Sequence, residues 1–134
     1  MQYLLDTNIC IYIIKQKPPQ VLSKFKATKP GDIAVSSITV AELEYGVHKS
    51  AHRIKNKQAL EKFLLPLVIA NYDYHAAMHY GKIRADLEKK GTPIGALDNL
   101  IAAHAMSLGI PVITNNEKEF SRIEGLRVIN WAHE

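Results

Sequence analysis

Short apolar runs alternate with longer segments in which apolar residues recur every three or four positions, and this alternation predicts strands separated by helices. The runs that predict strands lie at 2–5, 32–36, 67–70 and 111–114, with a possible fifth at 126–129. The segments that predict helices lie at 7–16, 18–27, 38–49, 53–65, 73–90, 97–108 and 117–121. This order predicts an α/β fold, in which helices cover both faces of a mostly parallel sheet of four or five strands.

Composition narrows the class of protein. The chain has 134 residues, no repeat and no linker-like tract, so we expect a single domain over residues 1–134. Its hydrophobic content of 47% excludes a disordered chain, and its net charge of +4 favours a polyanionic partner. The lone cysteine, Cys10, lies in the apolar run ICIYII, which predicts a buried thiol and excludes a paired-cysteine zinc or redox site. No apolar run reaches the ~18 residues of a membrane helix, so we expect a cytoplasmic protein.

Acids and amides follow the predicted strands. In an open parallel sheet, ligands bind beyond the carboxyl ends of the strands. Asp6 directly follows the first strand, Glu42 lies six residues after the second, and Asp98 opens the helix that precedes the fourth. The fourth strand ends in Thr114, Asn115 and Asn116, with Glu117 and Glu119 just beyond.

Each acid also has a purely structural explanation. Asp6 could cap the helix that follows it, and Asp98 could be favoured by the positive end of its own helix. Glu42 shares a helical stripe with Tyr45, while Leu43 and Val47 form a second apolar stripe on the opposite side. The pattern leaves open which stripe faces the core. Glu44 points away from Glu42, and we expect it to be solvated.

Taken together, the acids indicate a metal site. Several carboxylates at one sheet edge would repel each other, and a hard divalent cation would relieve that repulsion. A bound cation can also activate water and stabilise charge on a phosphate, which is the chemistry that phosphodiester hydrolysis requires.

Four motifs in order carry a family resemblance. They are LLDTN at 4–8, AELEYG at 41–46, PIGALDNLIAAHA at 93–105 and ITNNEKEF at 113–120. In this order and spacing the chain resembles PIN-domain ribonucleases, and it is most similar to the VapC toxins of bacterial toxin–antitoxin pairs. The resemblance runs from residue 2 to Trp131.

The resemblance implies the site. Asp6, Glu42 and Asp98 would bind Mg²⁺, or Mn²⁺ in its place. The chain departs from the common pattern at Asn116, where an aspartate is usual, and in similar toxins a glutamate three positions later takes that role, here Glu119. The resemblance therefore makes Asp6, Glu42, Asp98 and Glu119 the catalytic set. Hydrogen bonds from the polar side chains beside them would orient ligands or water, namely those of Thr7, Asn8, Thr114 and Asn116.

The resemblance also implies partners. Similar proteins are homodimers that a VapB-type antitoxin silences by inserting a C-terminal segment into the active groove. They cut structured RNA at single-stranded loops, and the subgroup with these motifs resembles toxins that cleave initiator tRNA in its anticodon loop. We therefore expect a toxin that inhibits translation by cutting tRNA.

Other functions remain in view. A phosphatase with an aspartate nucleophile usually has a second aspartate two residues on, where this chain has Asn8. A non-catalytic PIN-like module that binds RNA or DNA would typically have lost an acid. A DNA nuclease shares the same phosphodiester chemistry, and only the resemblance favours RNA.

Two further patterns have both a structural and a functional interpretation. His104 lies on an apolar helical stripe and is interpreted as a hydrogen-bonded core residue. Basic residues cluster at the 49–57 junction and along the 73–90 helix, where they form either a solvated face or a track for the RNA backbone. Because aromatic residues make up only 7% of the chain, we expect recognition by shape and phosphate more than by base stacking.

Overall fold

A computed structural model, which describes residues 1–132, contains one sheet whose strands are all parallel. The strands are β1 (Tyr3–Leu5), β2 (Ile33–Ser36), β3 (Val68–Ala70), β4 (Val112–Ile113) and β5 (Val128–Ile129). Their order across the sheet is β3-β2-β1-β4-β5. The predicted α/β class is confirmed, the possible fifth strand is present, and the sheet is parallel throughout.

Seven helices and one 3₁₀ turn (Pro30–Asp32) connect the strands within the described residues. The helices are α1 (Thr7–Ile14), α2 (Pro19–Lys26), α3 (Ser37–Lys49), α4 (Arg53–Leu64), α5 (Tyr74–Lys89), α6 (Ala96–Leu108) and α7 (Glu117–Phe120). Their bounds agree with the predicted segments to within two residues. None of these helices in residues 1–132 is both long and apolar enough to cross a membrane.

The ends of the helices follow from local chemistry. The Ser36 hydroxyl accepts a hydrogen bond from the Ile38 backbone N–H and caps α3, and Asp73 caps α5 in the same way through the Ala76 N–H. The chain leaves α6 at Gly109, whose φ of 68° is a left-handed conformation that glycine adopts without steric cost.

The core has two layers because consecutive strand residues face opposite sides of the sheet. Leu5 and Val35 pack against α1 to α4, whereas Leu4 and Ala34 pack against α5 and α6. All four side chains are fully buried, and the predicted helices on both faces are therefore confirmed. Cys10 is buried in the first layer, as predicted, and burial raises the pKa of its thiol far above the ordinary range.

The parallel topology gathers the functional candidates at one place. Since all strands run in the same direction, their carboxyl ends meet at one edge of the sheet. Asp6 follows β1 there, Ser36 is the last residue of β2, and Thr114 follows β4.

Candidate active site at the carboxyl edge of the sheet

Asp6 is the buried centre of this edge, with a side chain only 3% exposed. Its Oδ1 accepts from the Thr7 backbone N–H at 2.7 Å, and its Oδ2 accepts from the Thr114 hydroxyl at 2.8 Å. Burial raises the pKa of Asp6, while these two hydrogen bonds lower it. A carboxylate has about four lone-pair positions, so two donors leave room for a cation on the same group.

A chain of hydrogen bonds runs from Asp6 to the other acids. Thr114 Oγ1, which donates to Asp6, also accepts from the Asn116 backbone N–H at 2.9 Å. The Asn116 side-chain amide donates to Asp98 Oδ2 at 3.1 Å and to Glu119 Oε2 at 2.8 Å. Asn116 thus takes the place of the expected aspartate as a neutral bridge between two carboxylates.

Asp98 lies where these negative charges converge, and its pKa is raised to about 6. Burial is the largest cause, repulsion from Asp6 and Glu119 adds to it, and the Asn116 hydrogen bond opposes it. Negative charge is therefore costly at this point unless a cation shares the site.

Glu42 stands apart from this network. Leu43 and Val47 are the side of α3 that is buried, so Glu42 and Tyr45 face outwards and are exposed. Glu42 nevertheless lines the same groove as Asp6 and Asp98, a cavity of about 500 Å³. The structure thus places three of the predicted acids around one groove, and it joins Glu119 to Asp98 through Asn116.

The donor chemistry suits a hard divalent cation. Within residues 1–132, no three His, Cys, Asp or Glu side chains are close enough to enclose a metal ion by themselves. Mg²⁺ is usually held by only one or two carboxylates and keeps several waters, so Asp6 and Asp98 are a sufficient pair. Glu42 lines the same groove, and Glu119 is joined to Asp98 through Asn116.

The supporting residues divide into two groups. Thr114 and Asn116 bond directly to the acids, as described above. The Thr7 hydroxyl lies 3.1 Å from the Thr39 hydroxyl, so only the backbone of Thr7 supports Asp6. Asn8 is exposed on the wall of the groove.

Glu44 differs from its predicted solvated state. It is half-buried and forms an ion pair with Lys57 of α4. The reason is that α3 and α4 pack against each other, so the Glu44 side of α3 meets a second helix.

Several residues line the groove that the sequence did not place there: Tyr45, Lys15 and Asn56 were given no functional role, and Lys49 was predicted only as part of the basic cluster at 49–57. Tyr45 and Lys49 line the groove from α3, Lys15 from the end of α1, and Asn56 from α4. The signal for Tyr45 and Lys49 was their spacing of three and seven residues from Glu42, which puts them on the same helical face. Lys15 and Asn56 carried no comparable signal, because only the packing of α1 and α4 brings them to the groove.

His104 is a core residue, as predicted. It is 1% exposed, its Nδ1 lies 2.8 Å from Ser36 Oγ, and its ring packs edge-on against Tyr72. Burial lowers its pKa, so the neutral form is favoured.

Comparison with known proteins decides the family. The sequence model of the PIN domain family matches residues 3–126 of this chain. The chain belongs to the PIN-domain family. Its relatives within that family are VapC ribonucleases, and the predicted resemblance is confirmed.

The relatives cover nearly the whole of this PIN domain. It is 44% identical over 132 residues to the tRNA(fMet)-specific endonuclease VapC of Salmonella typhimurium, covering 98% of this chain and 99% of that protein. It is 47% identical over 132 residues to Ribonuclease VapC2 of Haemophilus influenzae, with the same coverage.

Solved structures agree. The PIN domain superimposes on the DNA-bound VapBC structure from Salmonella typhimurium with a TM-score of 0.92 and 44% identity, covering 98% of both chains. It superimposes on VapBC2 of Rickettsia felis, bound to a promoter DNA fragment, with a TM-score of 0.91 and 42% identity, covering 98% of this chain and 99% of that one.

Proposed function

We propose that this chain is the toxin of a type II toxin–antitoxin pair, an endoribonuclease that hydrolyses a phosphodiester bond of tRNA with a divalent metal ion. The observation that carries this proposal is the pair of carboxylates, Asp6 and Asp98, joined through Thr114 and Asn116 at the floor of an open groove. Relatives that are 42–47% identical are named ribonucleases or tRNA(fMet)-specific endonucleases, which supports the same chemistry here.

Asp6 and Asp98 would hold the metal, with Glu42 and Glu119 beside them, and Mg²⁺ suits this all-oxygen donor set best. A bound Mg²⁺ supplies Lewis acidity toward a phosphate oxygen and lowers the pKa of a water. Thr114 fixes the orientation of the Asp6 carboxylate, and Asn116 holds Asp98 and Glu119 in place. Lys15 and Lys49 on the groove walls hold the phosphates that flank the scissile bond.

The substrate is tRNA, and its finer identity is initiator tRNA cut in the anticodon loop. The choice of initiator tRNA is supported by the names of two relatives, the tRNA(fMet)-specific endonucleases VapC of Salmonella typhimurium and Shigella flexneri, at 44% and 42% identity. The anticodon loop as the cleavage site is part of the same proposal. Such a substrate belongs to the cytoplasm, where the toxin would stop translation.

The partner that silences the enzyme is a VapB-type antitoxin. Similar structures are VapBC complexes, and the groove beside the acids has apolar walls from Ile11, Leu43 and Leu60 that suit an inserted segment. A homodimer, as in similar toxins, is part of the same proposal.

The deciding experiment compares wild-type protein, freed of antitoxin, with Asp6→Asn on total tRNA, each with Mg²⁺ and with EDTA. Wild type with Mg²⁺ should cut, and the other three reactions should lose at least about 100-fold in rate. Asp86→Asn is the matched control, since Asp86 is an exposed acid on α5 that pairs with Lys82, and it should cut like wild type.

Mapping the new RNA ends then identifies the substrate. Cleavage in initiator tRNA alone supports the finer assignment, whereas cleavage of another RNA refutes it and leaves the nuclease. Cutting of single-stranded DNA in preference to RNA would replace the ribonuclease with a DNA nuclease. Folded wild-type protein that cuts nothing would instead support a binding module.

A further inference from the structure

One face of α3 carries three different functional groups in a row. Glu42, Tyr45 and Lys49 follow each other at intervals of three and four residues, so their side chains lie one above another. All three line the groove whose floor holds Asp6 and Asp98. Because a helix rises about 1.5 Å per residue, Lys49 lies roughly 10 Å along α3 from Glu42.

Tyr45 is an aromatic ring presented to solvent beside the acids. It is 61% exposed, although its apolar ring would be better buried. The Lys49 ammonium lies 5.0 Å from the ring centroid, within the range of a cation–π contact. That contact holds the ring at the wall of the groove and leaves it accessible to a flat ligand.

The charges of the groove walls indicate an anionic occupant. Lys49 on α3 and Lys15 at the end of α1 both line the groove, and neither forms an ion pair with an acid of residues 1–132. Lys57 of the neighbouring helix, by contrast, is neutralised by Glu44. Ammonium groups that no acid neutralises attract phosphates, which favours a nucleic acid strand at this wall.

We propose that the Tyr45 ring stacks on a base of the substrate RNA next to the scissile phosphate, and that Lys49 binds the phosphate following that base. This inference rests on the proposed ribonuclease function and names the subsite that positions the strand. Stacking requires an unpaired base, so the subsite selects single-stranded loops over helical RNA. Stacking does not depend on a particular base, so it positions the strand and leaves the choice of sequence to other contacts.

The first test measures binding separately from cleavage. In the Asp6→Asn background, binding of a stem-loop RNA is measured by fluorescence anisotropy for Tyr45, Tyr45→Phe and Tyr45→Leu. Leucine should raise Kd about tenfold, within the range known for loss of one base–aromatic stack, and phenylalanine should leave it within about twofold. Tyr45 is exposed, so neither change disturbs the core, and thermal unfolding checks this.

A base analogue provides a signal that a merely structural role would not produce. With 2-aminopurine beside the cleavage site, stacking should quench its fluorescence on binding to the Tyr45 and Tyr45→Phe proteins. The quenching should be lost with Tyr45→Leu at saturating protein. Equal quenching by all three proteins would overturn the proposal.

The phosphate contact has its own test. Lys49→Gln should make the dependence of log Kd on log salt shallower by about 0.7, the value for one phosphate on a single strand. Lys62→Gln, an exposed lysine of α4 outside the groove, should leave the slope unchanged. If Lys49→Gln, Lys62→Gln and the protein that keeps both lysines all gave the same slope, the role of Lys49 would be overturned.

The outcomes separate this inference from the function on which it rests. If wild-type protein cuts RNA and Asp6→Asn does not, the function stands whatever Tyr45 does. If Tyr45→Leu then binds RNA as tightly as Tyr45 but loses affinity for a VapB-type antitoxin, the ring belongs to the antitoxin interface and the inference is wrong. If wild-type protein cuts no RNA and the Asp6→Asn protein binds none, the function and the inference fail together.

Discussion

The Asp98 carboxyl lowers the stability of the metal-free fold at a position where the proposed chemistry needs a negative charge. Its pKa in the folded protein is about 6, against 3.8 ordinarily, because it is half-buried near Asp6 and Glu119. Between these two values the folded state binds more protons than the unfolded chain. The metal-free protein should therefore lose stability as pH rises from about 3.8 to about 6.

We expect Asp98→Asn to raise the free energy of unfolding of metal-free protein at pH 7 by about 1 kcal/mol, after allowance for the water that still reaches this group. The amide removes the repulsion and keeps an oxygen for the Asn116 hydrogen bond. Urea unfolding in EDTA at pH 7 and pH 4 measures the change, and the gain should vanish at pH 4.

With Mg²⁺ bound, we expect wild type to become more stable than Asp98→Asn. A ligand that binds only the folded state stabilises it, so Mg²⁺ should raise the melting temperature of wild type but not of Asp98→Asn. An Asp98→Asn protein that is less stable than wild type in EDTA at pH 7 would show that the carboxylate is not under electrostatic stress.

Ser36 links three elements of the fold, β2, α3 and α6. It ends β2, caps α3 through the Ile38 N–H, and lies against His104 of α6, and the side chains of Ser36 and His104 are both buried. Burial lowers the pKa of His104 below its ordinary value of 6.5. Because the neutral ring fits the folded protein better than the charged one, the contribution of His104 to the free energy of unfolding is complete above pH 6.5 and declines as pH falls below that value.

Ser36→Ala should lower the free energy of unfolding by about 1–2 kcal/mol, because α3 loses its cap and the His104 ring loses a buried partner. Ser23→Ala, on the exposed side of α2, should change it little. Because α3 carries Glu42 and Tyr45, we also expect slower cleavage. Equal stability of the two alanine variants would contradict a capping role.

Charge is distributed unevenly over the molecule. On α5, Lys82 pairs with Asp86 and Arg84 pairs with Glu88, at 2.9 and 3.0 Å. At the start of α4, Arg53 and Lys55 are exposed and form no ion pair with an acid of residues 1–132. Lys82 and Arg84 are therefore neutralised on their own helix and fit a solvated face, while the junction of α3 and α4 fits a track for the RNA backbone.

We expect the double variant Arg53→Gln/Lys55→Gln to bind RNA more weakly and to flatten the salt dependence of log Kd by about 1.4, or about 0.7 for each phosphate lost. Lys82→Gln/Arg84→Gln is the matched control with the same charge change, and its slope should equal that of wild type. Anisotropy titrations between about 50 and 200 mM salt measure both. If the α5 double variant flattened the slope and the α4 double variant did not, the RNA backbone would instead bind along α5.

The local pattern of residues was enough for the fold. Strands and helices were predicted to within a few residues because apolar periodicity, caps and glycines act over short stretches. Asp6 and Thr114 were identifiable because each directly follows a strand, and parallel strands must bring such residues to one edge. Glu42, Asp98 and Glu119 were also singled out by their positions relative to the strands, and the family resemblance then placed them in the catalytic set with Asp6. The roles of all four acids stay predictions, as does the homodimer.

Only tertiary packing decided the rest. Two apolar stripes of α3 competed for the core, and contact with α1 and α4 buried Leu43 and Val47, which turned Glu42 and Tyr45 toward the groove. The same packing paired Glu44 with Lys57 and brought Lys15 to the groove that Lys49 also lines. Asn116 became a bridge because α6 and the end of β4 meet there. These contacts join residues distant in sequence, and no short-range pattern records them.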